Sequence, residues 1–381
     1  MDFDLSDEQN RYRSEVAIFA ARELNDDVSE RDRHEEFSQT AWKKCAEFGI
    51  QGLPVPVDYG GSGADPLTIA LAMETLGYAC RDSGLIFSLN AQMWSCEIPL
   101  VRFGSEEQKK RYLPGLCDGS LIGVQAMTEP ESGSDAFSMK ARAVDMGDHF
   151  VLDGTKIFVT NAPIADLFVV FCTTDPSAGF AGIGAFLVER DSPGVTVGQS
   201  FHKMGLRTSP MGELVLSDCS VGKEALLGSL GAGMAVFTAS MDWERSFILA
   251  SGVGVMQYHL ERAVAYAKER KQFGEPIGRF QAVSHRLVDM RVRLESARLL
   301  LYHLSWLKSQ GKSTVMESAI VKLALSESLV HSSMDALQTF GGYGYMVDYE
   351  LEREVRDALG SKIYSGTSDI QRNVIARCMG L

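Results

Sequence analysis

Apolar residues change their spacing twice along these 381 residues, and the two changes limit the architectures open to the chain. Over the first ~120 residues the spacing is helical. Ser6-Asp7-Glu8-Gln9 and Ser105-Glu106-Glu107-Gln108 fit the capping box, in which a hydroxyl and a side-chain amide satisfy free backbone N–H groups. Asp65-Pro66 opens another helix, with proline where a missing N–H costs nothing. Between residues 121 and 231 short β-rich runs take over: His149-Phe150-Val151-Leu152, Lys156-Ile157-Phe158-Val159-Thr160, Leu167-Phe168-Val169-Val170-Phe171 and Gly184-Ala185-Phe186-Leu187-Val188. Asp153-Gly154 between the first two predicts a two-residue hairpin. The runs predict an antiparallel sheet without βαβ alternation. Helical spacing then returns over residues 234–270, 279–308 and 314–339, enough for a bundle of three or four helices. The expected class is α+β: an N-terminal helical domain over 1–120, a middle β-domain over 121–231 and a C-terminal helical bundle over 232–381.

The net charge of −13 disfavours nucleic acid and anionic membrane as partners. No apolar run reaches the ~20 residues that cross a bilayer. The start, Met1-Asp2-Phe3-Asp4, is acidic, unlike a signal or transit peptide. The seven cysteines are scattered, with no CxxC pair, as free thiols in a reducing compartment would be. The expected location is the cytoplasm. No G-x-G-x-x-G follows a strand, and no Walker loop, H-E-x-x-H or G-x-S-x-G occurs. The seven histidines form no ligand-spaced cluster, so no metal is expected.

Four segments carry chemistry. Residues 126–135, Ala-Met-Thr-Glu-Pro-Glu-Ser-Gly-Ser-Asp, gather hydroxyls and free N–H groups in one loop, which could wrap a ring's polar edge and offer Ser134 to a pyrophosphate or be an ordinary turn. Between Lys268 and Arg298 stand Arg270, Lys271, Arg279, Arg286, Arg291, Arg293 and Arg298, a phosphate site or a solvated helix face. Residues 338–345, Gln-Thr-Phe-Gly-Gly-Tyr-Gly-Tyr, break a helix with glycines that let backbone approach a ligand. Residues 363–372 place hydroxyls and Gly366 before a helix whose first N–H groups face outward. Either of the last two alone could be a plain helix connection.

Together, in this order and spacing, the four segments resemble the acyl-CoA dehydrogenase family over essentially the whole chain. The closest fits are residues 126–138 and residues 338–357, with Gly341, Gly342, Asp348 and Arg353 in place. The resemblance implies a helical domain, a β-domain and a C-terminal four-helix bundle, assembled as a homotetramer, with FAD between β-domain and bundle. By match, Gln125, Met127, Thr128 and Ser134 would contact flavin and pyrophosphate, with Phe158 and Thr160 near the ring. Phe158 stands where many relatives carry tryptophan. Arg270, Phe273, Gln281, Gln338 and Gly342 would hold the adenosine diphosphate half across a subunit interface, and Thr367 would touch the cofactor from the last loop.

Many members of that family carry the catalytic glutamate immediately before the last Gly-Thr-Ser. This chain has Ser365 there, too weak a base for removing an α-proton. A minority place the glutamate on a bundle helix, and that position matches Glu244 in Met241-Asp242-Trp243-Glu244-Arg245. Alone, Glu244 could be a solvated, ion-paired glutamate. The paired change makes it the expected base, with Ser365 and Gly366 lending backbone to the thioester carbonyl. Asp242 and Arg245 would line the substrate entrance and touch the pantetheine arm, and Trp243 with Trp94 could cap a small acyl pocket. The combination looks most like the prolyl-carrier-protein dehydrogenases, so the expected reaction is α,β-dehydrogenation of a carrier-bound prolyl thioester toward pyrrolyl. Lys203, Arg207 or Lys223 would meet an acidic carrier. The alternatives are a short or branched acyl-CoA as substrate, and a non-catalytic scaffold. The electron acceptor would be an electron-transfer flavoprotein or oxygen.

Overall fold

The structure is a computed structural model that describes residues 4–381; of the acidic start, Met1, Asp2 and Phe3 lie outside it. The chain opens with α1 (Asp7–Glu23), α2 (Val28–His34), α3 (Gln39–Phe48), α4 (Pro66–Ala79), α5 (Ser83–Gln92), α6 (Ile98–Phe103) and α7 (Glu106–Cys117). Both capping boxes form, at Ser6 with Gln9 and at Ser105 with Gln108. Asp65 accepts from the N–H groups of Leu67 and Thr68, with Pro66 at the first helical position. One π-helical turn, Met93–Glu97, joins α5 to α6. At its end Glu97 is fully buried: Gln92 Nε2 donates to Oε1 at 2.9 Å, while Oε2 has no partner.

The sheet strands are β1 (Gly123–Ala126), β2 (Arg142–Asp145), β3 (His149–Thr160), β4 (Leu167–Thr173), β5 (Ile183–Glu189), β6 (Val195–Ser200) and β7 (Met211–Gly222). They lie in the order β1-β4-β2-β3-β7-β6, with β5 also on β4. Residues 167–172 of β4 are buried on both faces, as their unbroken apolar run requires. Two expectations are corrected here. The sheet is mixed, because β1 runs parallel to β4 along its whole length. Asp153-Gly154 makes no hairpin: β3 continues through it, paired with β7, and shifts register between Leu152 and Gly154. A Cβ on Gly154 would lie 2.5 Å from that of Ala141, so glycine serves a bulge and a close crossing there.

The bundle contains α8 (Gly233–Phe247), α9 (Ala250–Glu269), α10 (Gln281–Ser309), α11 (Val315–Phe340), α12 (Leu351–Gly360) and α13 (Ser368–Cys378). The stretch expected as one helix from 234 breaks at Ile248-Leu249 into α8 and α9, and the hairpin β8 (Lys271–Gln272) and β9 (Glu275–Pro276) follows. α9 crosses α4 so closely that a Cβ on Gly77 would stand 1.8 Å from the Ser251 carbonyl oxygen, and one on Gly254 1.9 Å from that of Glu74. This crossing joins the bundle to the N-terminal helices. A core cluster runs from Val16 in α1 through Phe168 in β4 to Leu325 in α11, so the three portions share one interior. Among the described residues, no helix is long and apolar enough to cross a membrane.

Candidate active site

Two segments far apart in the chain meet at Glu244. The residue lies on the last turn of α8, and the turn between α12 and α13 comes up beside it, where Ser365 Oγ donates to Glu244 Oε1 at 2.5 Å. Ser365 is held in the left-handed region, φ 57°, which costs a non-glycine residue about 1–3 kcal/mol. Three hydrogen bonds hold the turn: Gln371 Nε2 donates to the carbonyls of Ser365 (3.0 Å) and Gly366 (2.9 Å), and Lys322 Nζ donates to that of Gly366 at 2.7 Å. The Ser365 N–H has no acceptor among the described residues. Burial raises the Glu244 carboxyl above the ordinary carboxylate range, and Ser365, Arg245 and Lys322 each draw it back.

The neighbours of Glu244 divide their work. Arg245 buries its Nε without a hydrogen-bond partner, a donor that costs about 1–3 kcal/mol while unpaired and that a bound group would satisfy. Asp242 turns into the bundle and accepts from Lys308 Nζ (2.5 Å), Thr314 Oγ1 (3.1 Å) and Ser318 Oγ (3.0 Å). Any contact with a substrate arm would share that carboxylate with three internal donors. Trp243 stacks on Trp94 with centroids 6.2 Å apart and leans on Phe247 at 5.5 Å. Trp94 is completely buried and donates Nε1 to Asn90 Oδ1 at 2.5 Å. A cavity of about 40 Å³ lies against Phe87, Asn90, Ile248, Leu249 and Tyr364, and neither tryptophan lines it. Glu244 does not line it either, so this cavity is not the space beside the expected base; the two indoles pack on each other and on Phe247.

The sheet brings residues expected at the flavin to the same region. β1 presents Gln125, whose Oε1 accepts from Ser240 Oγ at 3.1 Å. Ser240 lies four residues before Glu244 on α8, so Gln125 and Glu244 follow one helix face. After β1 the chain passes Met127, whose carbonyl accepts from Lys156 Nζ at 3.2 Å, and Thr128, whose carbonyl accepts from the Ile157 N–H at 2.8 Å. Glu129 is buried against Lys156 at 2.7 Å and also accepts from the N–H groups of Lys140 (2.6 Å) and Ala141 (3.0 Å). Burial pushes its carboxyl up, but Lys156 and these amides leave it below the ordinary range. Glu129 lies in the loop segment that the sequence singles out, but its partner Lys156 does not stand out; the available signal was a lysine inside an apolar strand. Ser134 remains exposed at the tip of this loop.

Beside it, β3 shifts register between Lys156 and Val159, and Phe158 takes φ 54° with its ring 56% exposed and tilted against Phe201. A bulge re-aims a side chain in this way. Thr160 follows, paired with Met211. Thr367 caps α13, its hydroxyl accepting from the Ile370 N–H at 3.2 Å.

A second group gathers elsewhere. Phe273 (φ 53°) and Gly274 (φ 87°) form the turn of the β8-β9 hairpin. Phe273 is 94% exposed and stands edge-on to Phe280, while the Arg270 guanidinium lies 5.6 Å from the Tyr343 ring centre. Gln281 starts α10, and Gln338 and Gly342 flank the end of α11. Among the described residues no hydrogen bond, ion pair or ring contact joins this group to the Glu244 cluster. The run of seven cations divides: Arg286 and Arg293 pair with Asp335, Arg291 with Glu295 and Arg298 with Glu74. Arg270, Lys271 and Arg279 have no carboxylate partner among the described residues. Of the expected rim cations, Lys203 is corrected, while Arg207 and Lys223 stay partly exposed. Lys203 folds inward onto the carbonyls of Leu206 and Ser209, and burial lowers it to about 8. Arg207 donates to the Lys203 carbonyl, and Lys223 pairs with Asp145.

Comparison with known proteins matches residues 6–120 to the acyl-CoA dehydrogenase N-terminal domain, 124–219 to the middle domain and 231–380 to the C-terminal domain. The chain belongs to the acyl-CoA dehydrogenase family. It is 43% identical to an L-prolyl-[peptidyl-carrier protein] dehydrogenase of Pseudomonas fluorescens, over 99% of each chain. Among solved structures, the prolyl acyl carrier protein oxidase AnaB superposes with a TM-score of 0.98 at 47% identity, covering 99% of this chain and 100% of that one. PigA with FAD and proline gives 0.98 at 43% identity, covering 100% of both.

Proposed function

We propose that this chain is an FAD-dependent dehydrogenase of a prolyl group carried as a thioester on a carrier protein. The observation that carries the reading is the Glu244–Ser365 pair: a buried carboxylate of raised proton affinity beside a turn whose free N–H is left for an acceptor. The AnaB and PigA likenesses support the same substrate class.

The residues present fit FAD. Phe158 is turned outward at a strained φ, Ser134 is exposed on a loop anchored by Glu129 and Lys156, and Gln125 faces α8. In our reading Gln125, Met127, Thr128, Ser134, Phe158, Thr160 and Thr367 hold the flavin and pyrophosphate. Arg270, Phe273, Gln281, Gln338 and Gly342 hold the adenosine half of a neighbouring subunit's cofactor. When bound, FAD supplies the acceptor for the hydride that leaves the β-carbon. Glu244 takes the α-proton, and burial that raises its proton affinity suits it to do so near neutral pH. The Ser365 and Gly366 backbone polarises the thioester carbonyl, and Arg245 Nε binds the pantetheine arm. Asp242 and Trp243 fix α8 against the bundle and so aim Glu244. A second round on the same ring would carry the product toward pyrrolyl. We divide the chain after residues 120 and 231, and place it in the cytoplasm as a homotetramer.

The deciding experiment is anaerobic flavin bleaching with prolyl-carrier protein, butyryl-CoA and isovaleryl-CoA side by side. Bleaching by the prolyl-carrier protein, with loss of pairs of hydrogens from its arm by mass spectrometry, is the expected result. Bleaching by an acyl-CoA alone replaces this substrate with the ordinary one of the family, and no bleaching by any of them favours a non-catalytic scaffold. Oxygen uptake during turnover then separates oxygen from an electron-transfer flavoprotein as acceptor.

A further inference from the structure

Lys322 is fully buried on α11, and no part of the mechanism above uses its charge. Its Nζ donates to the Gly366 carbonyl at 2.7 Å, and among the described residues no carboxylate oxygen stands within ion-pair distance of it. A buried ammonium without a bonded anion is costly, and a neutral donor of similar length would hold the same carbonyl without that cost. The charge therefore has to act on something nearby. The acceptor it holds belongs to the turn whose previous residue, Ser365, donates to Glu244 at 2.5 Å. Its ammonium also lies 5.8 Å from the ring centre of Tyr364, the residue before Ser365.

We infer that Lys322 is a positioning residue for the base: its ammonium, seated beneath the 364–366 turn, keeps Glu244 ionised between turnovers while its hydrogen bond holds Ser365 against that carboxylate. The inference rests on the reading of Glu244 as the base and adds what sets its proton affinity.

Of the other charges around the pair, Arg245 also acts on Glu244, and of the charged groups Lys322 alone holds the turn. On α8, Arg245 acts on Glu244 and on Lys322, while Asp242 is held by Lys308 from α10. On α11 itself, Glu327 faces Lys322 but is paired with Lys362 at 2.8 Å and lies 3.7 Å from Arg372 of α13. From α12, Asp357 acts on Tyr364, whose hydroxyl burial keeps protonated. Among the described residues packed around α11, Arg245 and Lys322 are the two cations that act on Glu244, and Lys322 also grips its turn. Burial lowers Lys322 to about 8 and the nearby Glu244 draws it back up, as two groups that stabilise each other's charge should do.

The test compares Lys322→Met, which removes charge and hydrogen bond, with Lys322→Gln, which keeps an N–H donor without the charge, both as holoenzymes. Glu244 is followed in two ways: by the acid limb of the pH profile of flavin reduction, and by infrared titration of the carboxyl band lost in Glu244→Gln. In both variants the titration of Glu244 should move up by about one pH unit, the low end for losing an opposite charge nearby. FAD content should stay unchanged. If Lys322→Met fails to fold, Lys322→Gln carries the test alone. A Glu244 titration in Lys322→Gln equal to that of the wild type overturns the inference. The infrared arm needs no substrate, so it still decides the matter if prolyl-carrier protein fails to bleach the flavin and the functional reading falls separately.

Discussion

Glu244 and Ser365 stand 121 residues apart in the chain and 2.5 Å apart in space, and the chemistry proposed here lives in that contact. Glu244→Gln keeps the shape and removes the base, so flavin reduction by substrate should slow at least ~10²-fold while FAD stays bound. Stopped-flow reduction measures this, and a near-normal rate would move the base to another residue. Because Glu244 acts as a base only when ionised, the rate should rise with pH through its titration. The Ser365 hydroxyl favours the ionised form, so Ser365→Gly, which suits φ 57° and keeps the backbone N–H, should move the acid limb of the pH profile upward. An unmoved limb would mean that the hydroxyl bond does not matter in the working enzyme. At this scale the sequence told much: a serine before Gly-Thr-Ser, together with a glutamate on a bundle helix, singled out two residues that the structure brings into contact. It could not tell that the serine hydroxyl turns to that glutamate, because this depends on a left-handed backbone held by Gln371 and Lys322 from other helices.

Single elements carry two further tests. The loop after β1 is held by the Glu129–Lys156 pair, buried on both sides. Glu129→Ala strands the Lys156 ammonium in the interior and should cost about 3–5 kcal/mol in denaturant unfolding. A loss below ~1 kcal/mol would show that water reaches Lys156 and that the loop is anchored in another way. The π-helical turn Met93–Glu97 ends on a carboxyl that burial pushes up to about 8. Its proton is held in the folded chain and released at lower pH in the unfolded one. The stability it contributes is therefore complete below the ordinary glutamate range and lost as pH rises toward about 8. Glu97→Gln removes the titration, so its melting temperature should exceed that of the wild type by a margin that grows with pH across that window. Parallel curves would mean that Glu97 is already ionised in the fold. The bulge at Gly154 teaches the opposite lesson: Asp-Gly predicts a hairpin from local backbone preference, but pairing with β7 along both halves of β3 overrides it.

For the whole molecule, the exposed hairpin tip at Phe273 and the apolar stripe of Val288, Val292, Leu299 and Trp306 along α10, each about half exposed or more, need a cover that one subunit does not provide. If a neighbouring subunit covers them and its FAD is completed by Arg270 and Phe273, then Arg270→Ala and Phe273→Ala should lower FAD retained per subunit. Phe273→Ala should also weaken assembly in light scattering. A monomer that keeps FAD as tightly as the wild type would sink this arrangement. What the chain determined by itself was mostly local or periodic: helices, sheet and bundle in that order, the capping boxes, the break at Gly341-Gly342 and the paired serine at 365 and glutamate at 244. These follow from spacing, caps and motifs, which a short window of residues contains. The tertiary structure decided what windows cannot contain: the parallel run of β1 beside β4, the inward turn of Lys203 and Asp242, the packing of Trp94 on Trp243, and the buried Lys322 beneath the 364–366 turn. In each case a side chain or strand took the partner that relieved its burial, and that partner came from a distant part of the chain.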